Sequence, residues 1–311
     1  MNNEQINKLG YGAVICGECG PSLTGKEAEY ATYYPAKCDN CGIETECTEL
    51  RDYLKGHYKI KSVTVVSKEE PKTSLEHRPT NSEFFEFDEK VVKVFDDMSM
   101  RSIMGYEQAL HTIRYVASQL KLPEFAEVWD MGTTTGECLK AIQAGLANNP
   151  LIHYYGVDIS PAAVKTSQEK CPFAQIFQHD LLKGFPEKAT KGNCGIIVFA
   201  YTLQFLQDLD KREDLIKQAY EYLCEGGVLI VLEKYTLYNP FWDKVMQTAY
   251  ISQRIKNGYT LESIQAKTKA LNNSMWTQSP EYMIACMQDA KFEKIDILYR
   301  VLNFGGIIAI K

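Results

Sequence analysis

The sequence predicts an α/β fold: a mostly parallel sheet with crossover helices, closed by an antiparallel hairpin and preceded by a small cysteine-rich module. Three observations predict it. Short apolar runs alternate with helical patterns from Val128 to Glu233, the rhythm of strand, crossover helix and parallel strand. The last two apolar runs, Ile295 to Tyr299 and Gly306 to Ile310, are separated by a connection through Asn303-Phe304-Gly305, too short for a crossover helix, so they must pair antiparallel. The first eighty residues lack this alternation and carry two Cys-x2-Cys pairs instead.

The first strand of the sheet is Val128-Trp129-Asp130-Met131, and it runs into Gly132-Thr133-Thr134-Thr135-Gly136 and then a helical pattern. Gly132 can take backbone angles closed to other residues, and short side chains let a ligand lie against the backbone and the next helix's N-terminus. The loop has the form G-x-x-x-G; the middle glycine that packs a pyrophosphate in G-x-G-x-x-G is absent. An adenosine ligand without phosphates, above all S-adenosylmethionine (SAM), fits better than a dinucleotide. A purely structural turn could carry the same two glycines.

The second strand, Ile152 to Val157, ends in Asp158, where a carboxylate can accept from both ribose hydroxyls. The third, Ala174 to Gln178, runs into His179-Asp180-Leu181; Asp180 can accept from an adenine amino group and Leu181 can pack on the ring. Any one such acid also serves as a helix N-cap, but here two acids follow the glycine loop in the right order. The fourth strand, Gly195 to Ala200, continues through Tyr201 to Leu206. The fifth follows a turn at Glu225-Gly226-Gly227 as Val228 to Glu233, after a helix patterned by Leu215, Ile216, Ala219, Tyr222 and Leu223. A sheet of this kind closed by a hairpin is the Rossmann-like class I methyltransferase fold.

Motifs spread over residues 85 to 311 carry a narrower resemblance. They include Phe87-Asp88-Glu89-Lys90-Val91, Val94 to Met98, Arg101 to Tyr106, Thr202-Leu203-Gln204-Phe205-Leu206, Glu233-Lys234, Asn257-Gly258-Tyr259 and Asn303-Phe304-Gly305. In this order they resemble the carboxy-SAM synthases. The resemblance implies that SAM lies over the glycine loop, that a sulfonium ylide captures carbon dioxide lost from prephenate, and that the product serves wobble-uridine modification in tRNA. It implies SAM contacts from Tyr106, Gly132, Asp158, Asp180 and Leu181; Asp130, Thr133, Thr134, Gly136, Ile159 and Ala200 complete the expected set.

Two positions depart from that pattern. Thr268, in Gln265-Ala266-Lys267-Thr268-Lys269, stands where the family has an arginine that grips the new carboxylate, and Ala200 stands where it has an asparagine. A threonine cannot replace a bidentate cation, and a lysine offers a mobile point charge. Either Lys267 or Lys269 substitutes, or the chain transfers an ordinary methyl group to a small-molecule or nucleic-acid acceptor. A non-catalytic SAM-binding partner is the third reading, and the intact loop and acids argue against it. In each enzymatic case the protein mainly aligns the acceptor and excludes water. Tyr106, Tyr201 and Trp276 are candidate walls around the sulfonium, since aromatic faces favour a cation; they suit a core equally well. The catalytic candidates are thus Tyr106, Tyr201, Lys267, Thr268 and Lys269.

Cys16-Gly17-Glu18-Cys19 and Cys38-Asp39-Asn40-Cys41 have the spacing of a structural zinc ribbon, in which four thiolates close a tetrahedral site and the metal supplies folding energy that a short segment lacks. Disulfides would need an oxidising compartment. No signal peptide opens the sequence, and Cys138, Cys171, Cys194, Cys224 and Cys286 fall in buried-looking elements, so a cytoplasmic protein with reduced thiols is expected. Cys47 reads as a small packed residue or a spare ligand. Lys55, His57, Lys59 and Lys61 interleave with Tyr53 and Tyr58, which suits contact with RNA and equally a solvated strand face. The acids Glu27, Glu29, Asp39, Glu44, Glu46 and Glu49, with a net charge of -6 for the chain, disfavour nucleic-acid binding by bulk electrostatics; a protein partner or a lid over the site competes as the ribbon's role.

The expected organisation is a ribbon over 1–66, a polar, proline-punctuated linker over 67–83, and a SAM-binding domain over 84–311. At 311 residues and 45% hydrophobic content the chain can bury one good-sized core plus an appended module, and no apolar run is long enough for a bilayer. Expected partners are a small-molecule substrate and, through the ribbon, an RNA or a protein, with a homodimer as an assembly to test.

Overall fold

The computed structural model describes residues 13–24, 34–49, 87–271 and 274–311. The chain divides into two compact units, Met1–Lys68 and Glu69–Lys311. The run from Tyr53 to Lys61, Glu27, Glu29 and the linker 67–83 lie outside the described residues.

In the first unit, β1 (Val14–Cys16), β2 (Tyr34–Lys37) and β3 (Glu44–Glu49) form an antiparallel sheet in the order β1-β3-β2, with a short helix α1 (Cys19–Thr24) after β1. Pro35 is accommodated because β2 is an edge strand. Among the described residues the unit's core is Ala13, Ile15, Cys16, Leu23, Cys38 and Cys47.

The second unit is built on a seven-stranded sheet. Its strands are β4 (Glu127–Met131), β5 (His153–Asp158), β6 (Gln175–Gln178), β7 (Cys194–Ala200), β8 (Leu223–Lys234), β9 (Lys294–Val301) and β10 (Phe304–Ile310), in the order β6-β5-β4-β7-β8-β10-β9. The first five run parallel, and β10 pairs antiparallel with both β8 and β9. Leu302 and Asn303 alone close the hairpin, with Leu302 at φ 54°. All five residues of β4 are buried, because helices cover both faces.

One face packs α6 (Leu209–Tyr222) and α9 (Pro280–Asp289) through Leu215, Ile216, Ala219, Met283 and Met287 against Trp129, Phe199 and Val231. The other packs α3 (Tyr106–Gln119) and α4 (Glu137–Gly145) through Ile113, Leu139 and Ile142 against Val128, Ile196 and Ile230. Side-chain caps start several helices as the sequence implies: Asp88 for α2 (Glu89–Ser102), Ser160 before Pro161 for α5 (Pro161–Lys170), and Asn239 before Pro240 for α7 (Pro240–Lys256). A further helix, α8, spans Leu261–Leu271.

The fifth parallel strand differs from its expected start. Glu225-Gly226-Gly227 is no separate turn but an irregularity within β8, where pairing with β7 jumps from Cys194↔Leu223 to Ile196↔Val228. Gly226, at φ 75°, donates to the Lys311 carbonyl at 3.1 Å, so the chain's last residue holds the strand together across the step.

Candidate functional site

The carboxyl ends of the parallel strands open into a cavity of about 840 Å³. β5 and β7 flank β4 on opposite sides, the switch point at which open α/β sheets bind ligands. Following the strand order, the lining runs from Asp180 after β6 through Asp158 of β5, Gly132 after β4 and Ala200 of β7 to Lys234 of β8 and Phe304 of β10. Phe87 and the α2 residues Phe95, Met98 and Ser99 contribute from outside the sheet, with Lys267 of α8 and Trp276.

The loop after β4 is shaped by close approach. Gly132 sits at φ 96°, and a Cβ there would lie 2.3 Å from Thr202 Oγ1. Gly136 sits at φ 84°, with Cys171 Sγ 2.4 Å from its hypothetical Cβ. Each glycine is therefore required by a neighbouring side chain as well as by its backbone angle. Thr134 also takes a left-handed angle, φ 47°, and its amide donates to Asp158 Oδ2 at 3.0 Å, while the Ser160 amide donates to Oδ1 at 2.9 Å. Burial pushes the Asp158 carboxyl up, and the amides of Ser160, Thr134 and Ile159 oppose it. The carboxylate retains acceptor capacity for a ribose hydroxyl.

Beside this loop lies a small recess of about 20 Å³ lined by Tyr106, Asp130, Thr133, Glu137 and Tyr201, among others. Asp130 is 1% exposed, and its Oδ1 and the Thr133 Oγ1 are buried without a hydrogen-bond partner. Burial pushes the Asp130 carboxyl up to about 7, opposed by Thr133 and assisted by the Asp158 charge. A buried carboxylate with acceptor capacity to spare, in a recess open to the loop, suits an ammonium donor such as that of an amino acid moiety.

Tyr201 is left-handed at φ 57°. Its hydroxyl pairs with that of Tyr299, and its ring lies 6.1 Å from that of Tyr106. Burial pushes both Tyr106 and Tyr201 phenols up, so both are neutral hydrogen-bonding walls rather than phenolates. Asp180 caps the turn that follows it, accepting from the Leu182 amide at 3.0 Å. Ile159, 61% exposed, lines the cavity beside Asp158.

The structure separates the three neighbours on α8. Lys267 is buried and lines the cavity, whereas Thr268 and Lys269 are exposed and lie outside its lining. The Thr268 hydroxyl donates to the Ile264 carbonyl of its own helix at 2.8 Å. Trp276 is in the lining too, fixed by its backbone: its amide donates to the Gln204 carbonyl at 2.7 Å, and its carbonyl accepts from Arg212 Nη2 at 2.7 Å. Gln204 also donates its amide to Glu233 at 3.2 Å and accepts from the Lys234 amide at 2.8 Å. Burial pushes Glu233 up to about 8 against the pull of Arg212.

Lys234, Tyr250 and Phe304 are lining residues to which sequence reasoning assigned no role in the site. Lys234 had a signal, a cation at the carboxyl end of a parallel strand next to the switch point; Tyr250 had none, being one aromatic in an amphipathic helix.

In the first unit, the sulfurs of Cys16, Cys19, Cys38 and Cys41 all lie within 4.8 Å of one another. Asn40 Nδ2 donates to Cys19 Sγ, and the Cys16 amide to Cys38 Sγ, both at 3.3 Å. Burial would raise the Cys38 thiol, but the amides of Cys41, Cys16 and Asn40 bring it down to about 6, while burial pushes Cys19 up to about 12 despite Asn40. Four sulfurs so close cannot all be thiolate without a cation among them. Cys47 lies apart, buried, donating to the Ala36 carbonyl at 3.4 Å.

This sheet order, with its glycine loop, strand-end acid and antiparallel closing strand, defines a SAM-dependent transferase of the class I methyltransferase type. Residues 129–229 match the family model described as a methyltransferase domain. The chain is 31% identical over 244 residues to the carboxy-S-adenosyl-L-methionine synthase of Helicobacter hepaticus, covering 73% of this chain and 95% of that protein. It is 31% identical over 228 residues to the enzyme of the same name from Aeromonas salmonicida, covering 73% and 91%. The chain belongs to the carboxy-S-adenosyl-L-methionine synthase family. Solved structures similar to it include human N-acetylserotonin methyltransferase in complex with SAM (16% identity, TM-score 0.46, 72% of this chain and 55% of that one). Another is a SAM-dependent methyltransferase of Methanosarcina mazei (15% identity, TM-score 0.44, 61% and 94%).

Proposed function

We propose that this chain makes carboxy-SAM from SAM and prephenate, with Lys267 as the cation that holds the transferred carboxylate. The observation that carries this reading is the burial of Lys267 in the cavity lining while Thr268 faces away. The arginine position is empty of charge, but the cavity is not. In the reaction the bond from the donor ring to its carboxylate breaks and releases carbon dioxide, and the ring hydroxyl departs as hydroxide. That hydroxide takes a proton from the sulfonium methyl group, and the resulting carbanion bonds to the carbon dioxide. Phenylpyruvate and water leave. Asp158 would hold the ribose, Asp180 and Leu181 the adenine, and Asp130 with Thr133 the amino acid end. Tyr106, Tyr201 and Trp276 would exclude water from the sulfonium.

Mass spectrometry of the reaction tests this. SAM plus prephenate should give a product heavier than SAM by one carbon dioxide, and Lys267→Met should lose it while SAM still binds. Methyl transfer to another acceptor, with no such product, is the competing outcome; Thr268 is the observation that favours it.

We further propose that the four-cysteine cluster binds one zinc ion, to which the close-set thiols are suited, and that the protein works in the cytoplasm, supplying a carboxymethyl donor for tRNA modification. Among the described residues no helix is long and apolar enough to cross a membrane.

A further inference from the structure

Beyond Lys267, two further cations stand at the cavity, Lys234 in its lining and Arg254 behind it. Lys234 lines the cavity, and its Nζ lies 5.1 Å from the centroid of the Tyr250 ring and 6.0 Å from that of Phe304. Arg254 of α7 is 3% exposed and lies over Tyr250 and Tyr259, at 5.4 and 4.8 Å. Its Nε and Nη2 are buried with no hydrogen-bond partner among the described residues. Among the described residues neither cation forms an ion pair. The nearby acid is Asp243, whose Oδ1 accepts from the Leu237 amide at 2.8 Å.

A buried guanidinium and a partly buried ammonium set chiefly against aromatic rings are costly without a close anion, because ring faces recover a fraction of the lost hydration. The cost shows in Lys234: burial, and then the Arg254 charge, bring its ammonium down to about 8, with Asp243 opposing. An anion entering the cavity would relieve it. SAM's own carboxylate belongs with the amino acid end at the Asp130 recess, whereas Lys234 stands two strands away at the end of β8.

We infer that Lys234, backed by Arg254, binds a second carboxylate on the donor, the one that remains on the product after carbon dioxide has left. The site therefore selects a dicarboxylic acid: Lys267 takes the departing group and Lys234 the retained one. Arg254 is a positioning residue, absent from the lining and acting through the Tyr250 ring and the local potential. This inference rests on the reading of the cavity as a carboxy-SAM-forming site.

The test is calorimetric titration of protein saturated with S-adenosylhomocysteine, using two probes. Prephenate carries both carboxylates, and phenylpyruvate only the retained one. Lys234→Met, which keeps the apolar stem on the rings, should weaken both acids by about tenfold or more, the loss of one charged hydrogen bond. It should leave S-adenosylhomocysteine affinity within about twofold, and Lys234→Arg should recover much of the loss. Lys267→Met should weaken prephenate and spare phenylpyruvate. The subsite is overturned if Lys234→Met binds both acids as the unmodified protein does, or if the unmodified protein binds neither. Should Lys234-dependent binding persist while mass spectrometry finds no carboxy-SAM, the subsite stands and the reaction assigned to the cavity falls.

Discussion

Asp158 Oδ2 accepts the Thr134 amide at 3.0 Å, so the acid at the end of β5 and the glycine loop after β4 are one unit. The carboxylate is aimed before any ligand arrives. Asp158→Ala should weaken SAM by about 1.5 to 3 kcal/mol, the usual worth of a charged hydrogen bond, and also loosen the loop through the freed amide. Calorimetry with SAM reads the first effect and amide hydrogen exchange at Thr134 the second; unchanged affinity would remove Asp158 from the site.

Gly132→Ala should destabilise the second unit by about 1 to 3 kcal/mol, since overpacking adds to a disfavoured backbone angle. Adding Thr202→Ala removes the two nearest clashing atoms, at 2.3 and 2.6 Å, but leaves φ at 96°. The double variant should recover part of the loss in a denaturant titration. Full recovery would mean that the backbone angle carries no strain.

The Asp130 carboxyl is held at about 7 against its ordinary 3.8 by burial. As the unfolded chain ionises first, this residue makes stability fall as pH rises from about 4 to 7 and level off above, by roughly 4 kcal/mol in all. Asp130→Asn should flatten that slope. With an ammonium group in the recess the ionised form is favoured, so SAM affinity of the unmodified protein should decline below about pH 7. An equal decline in Asp130→Asn would assign it to another group.

Metal analysis should find about one zinc per chain, lost in Cys38→Ser together with the fold of the first unit. Each unit has its own core, so the second should keep its thermal transition. A metal-free first unit with intact structure would exclude the zinc site.

The sheet was legible because its signals are local: buried strands are continuous apolar runs, and the short connection expected at Asn303-Phe304-Gly305 admits only a hairpin, although Phe304 and Gly305 themselves belong to β10. Asp158 and Gly132 were legible for the same reason, each marking the end of a strand. The separation of Lys267 from Thr268 was not, because which face of α8 meets the cavity depends on packing rather than on spacing along the helix. Lys234 was visible as a motif, yet its surroundings of Tyr250, Phe304 and Arg254 come from elements distant in sequence. The start of β8 was misplaced because Gly226-Gly227 is ordinarily turn chemistry, and the Lys311 backbone that keeps this segment in the sheet is distant in sequence.

Gln204 joins three things with its amide, its backbone carbonyl and its side-chain oxygen: Glu233, the Trp276 amide and the Lys234 amide. One side of the cavity is thereby tied to a strand end through one residue, with Arg212 holding the Trp276 carbonyl beside it. Descendants of this chain could exchange residues along α7 and α8 and acquire new donors without disturbing SAM's half of the cavity, provided that Gln204 stayed. Its loss would free the Lys234 amide and alter both elements at once, so a new specificity is more readily reached by exchanges on the helices than by a change at Gln204.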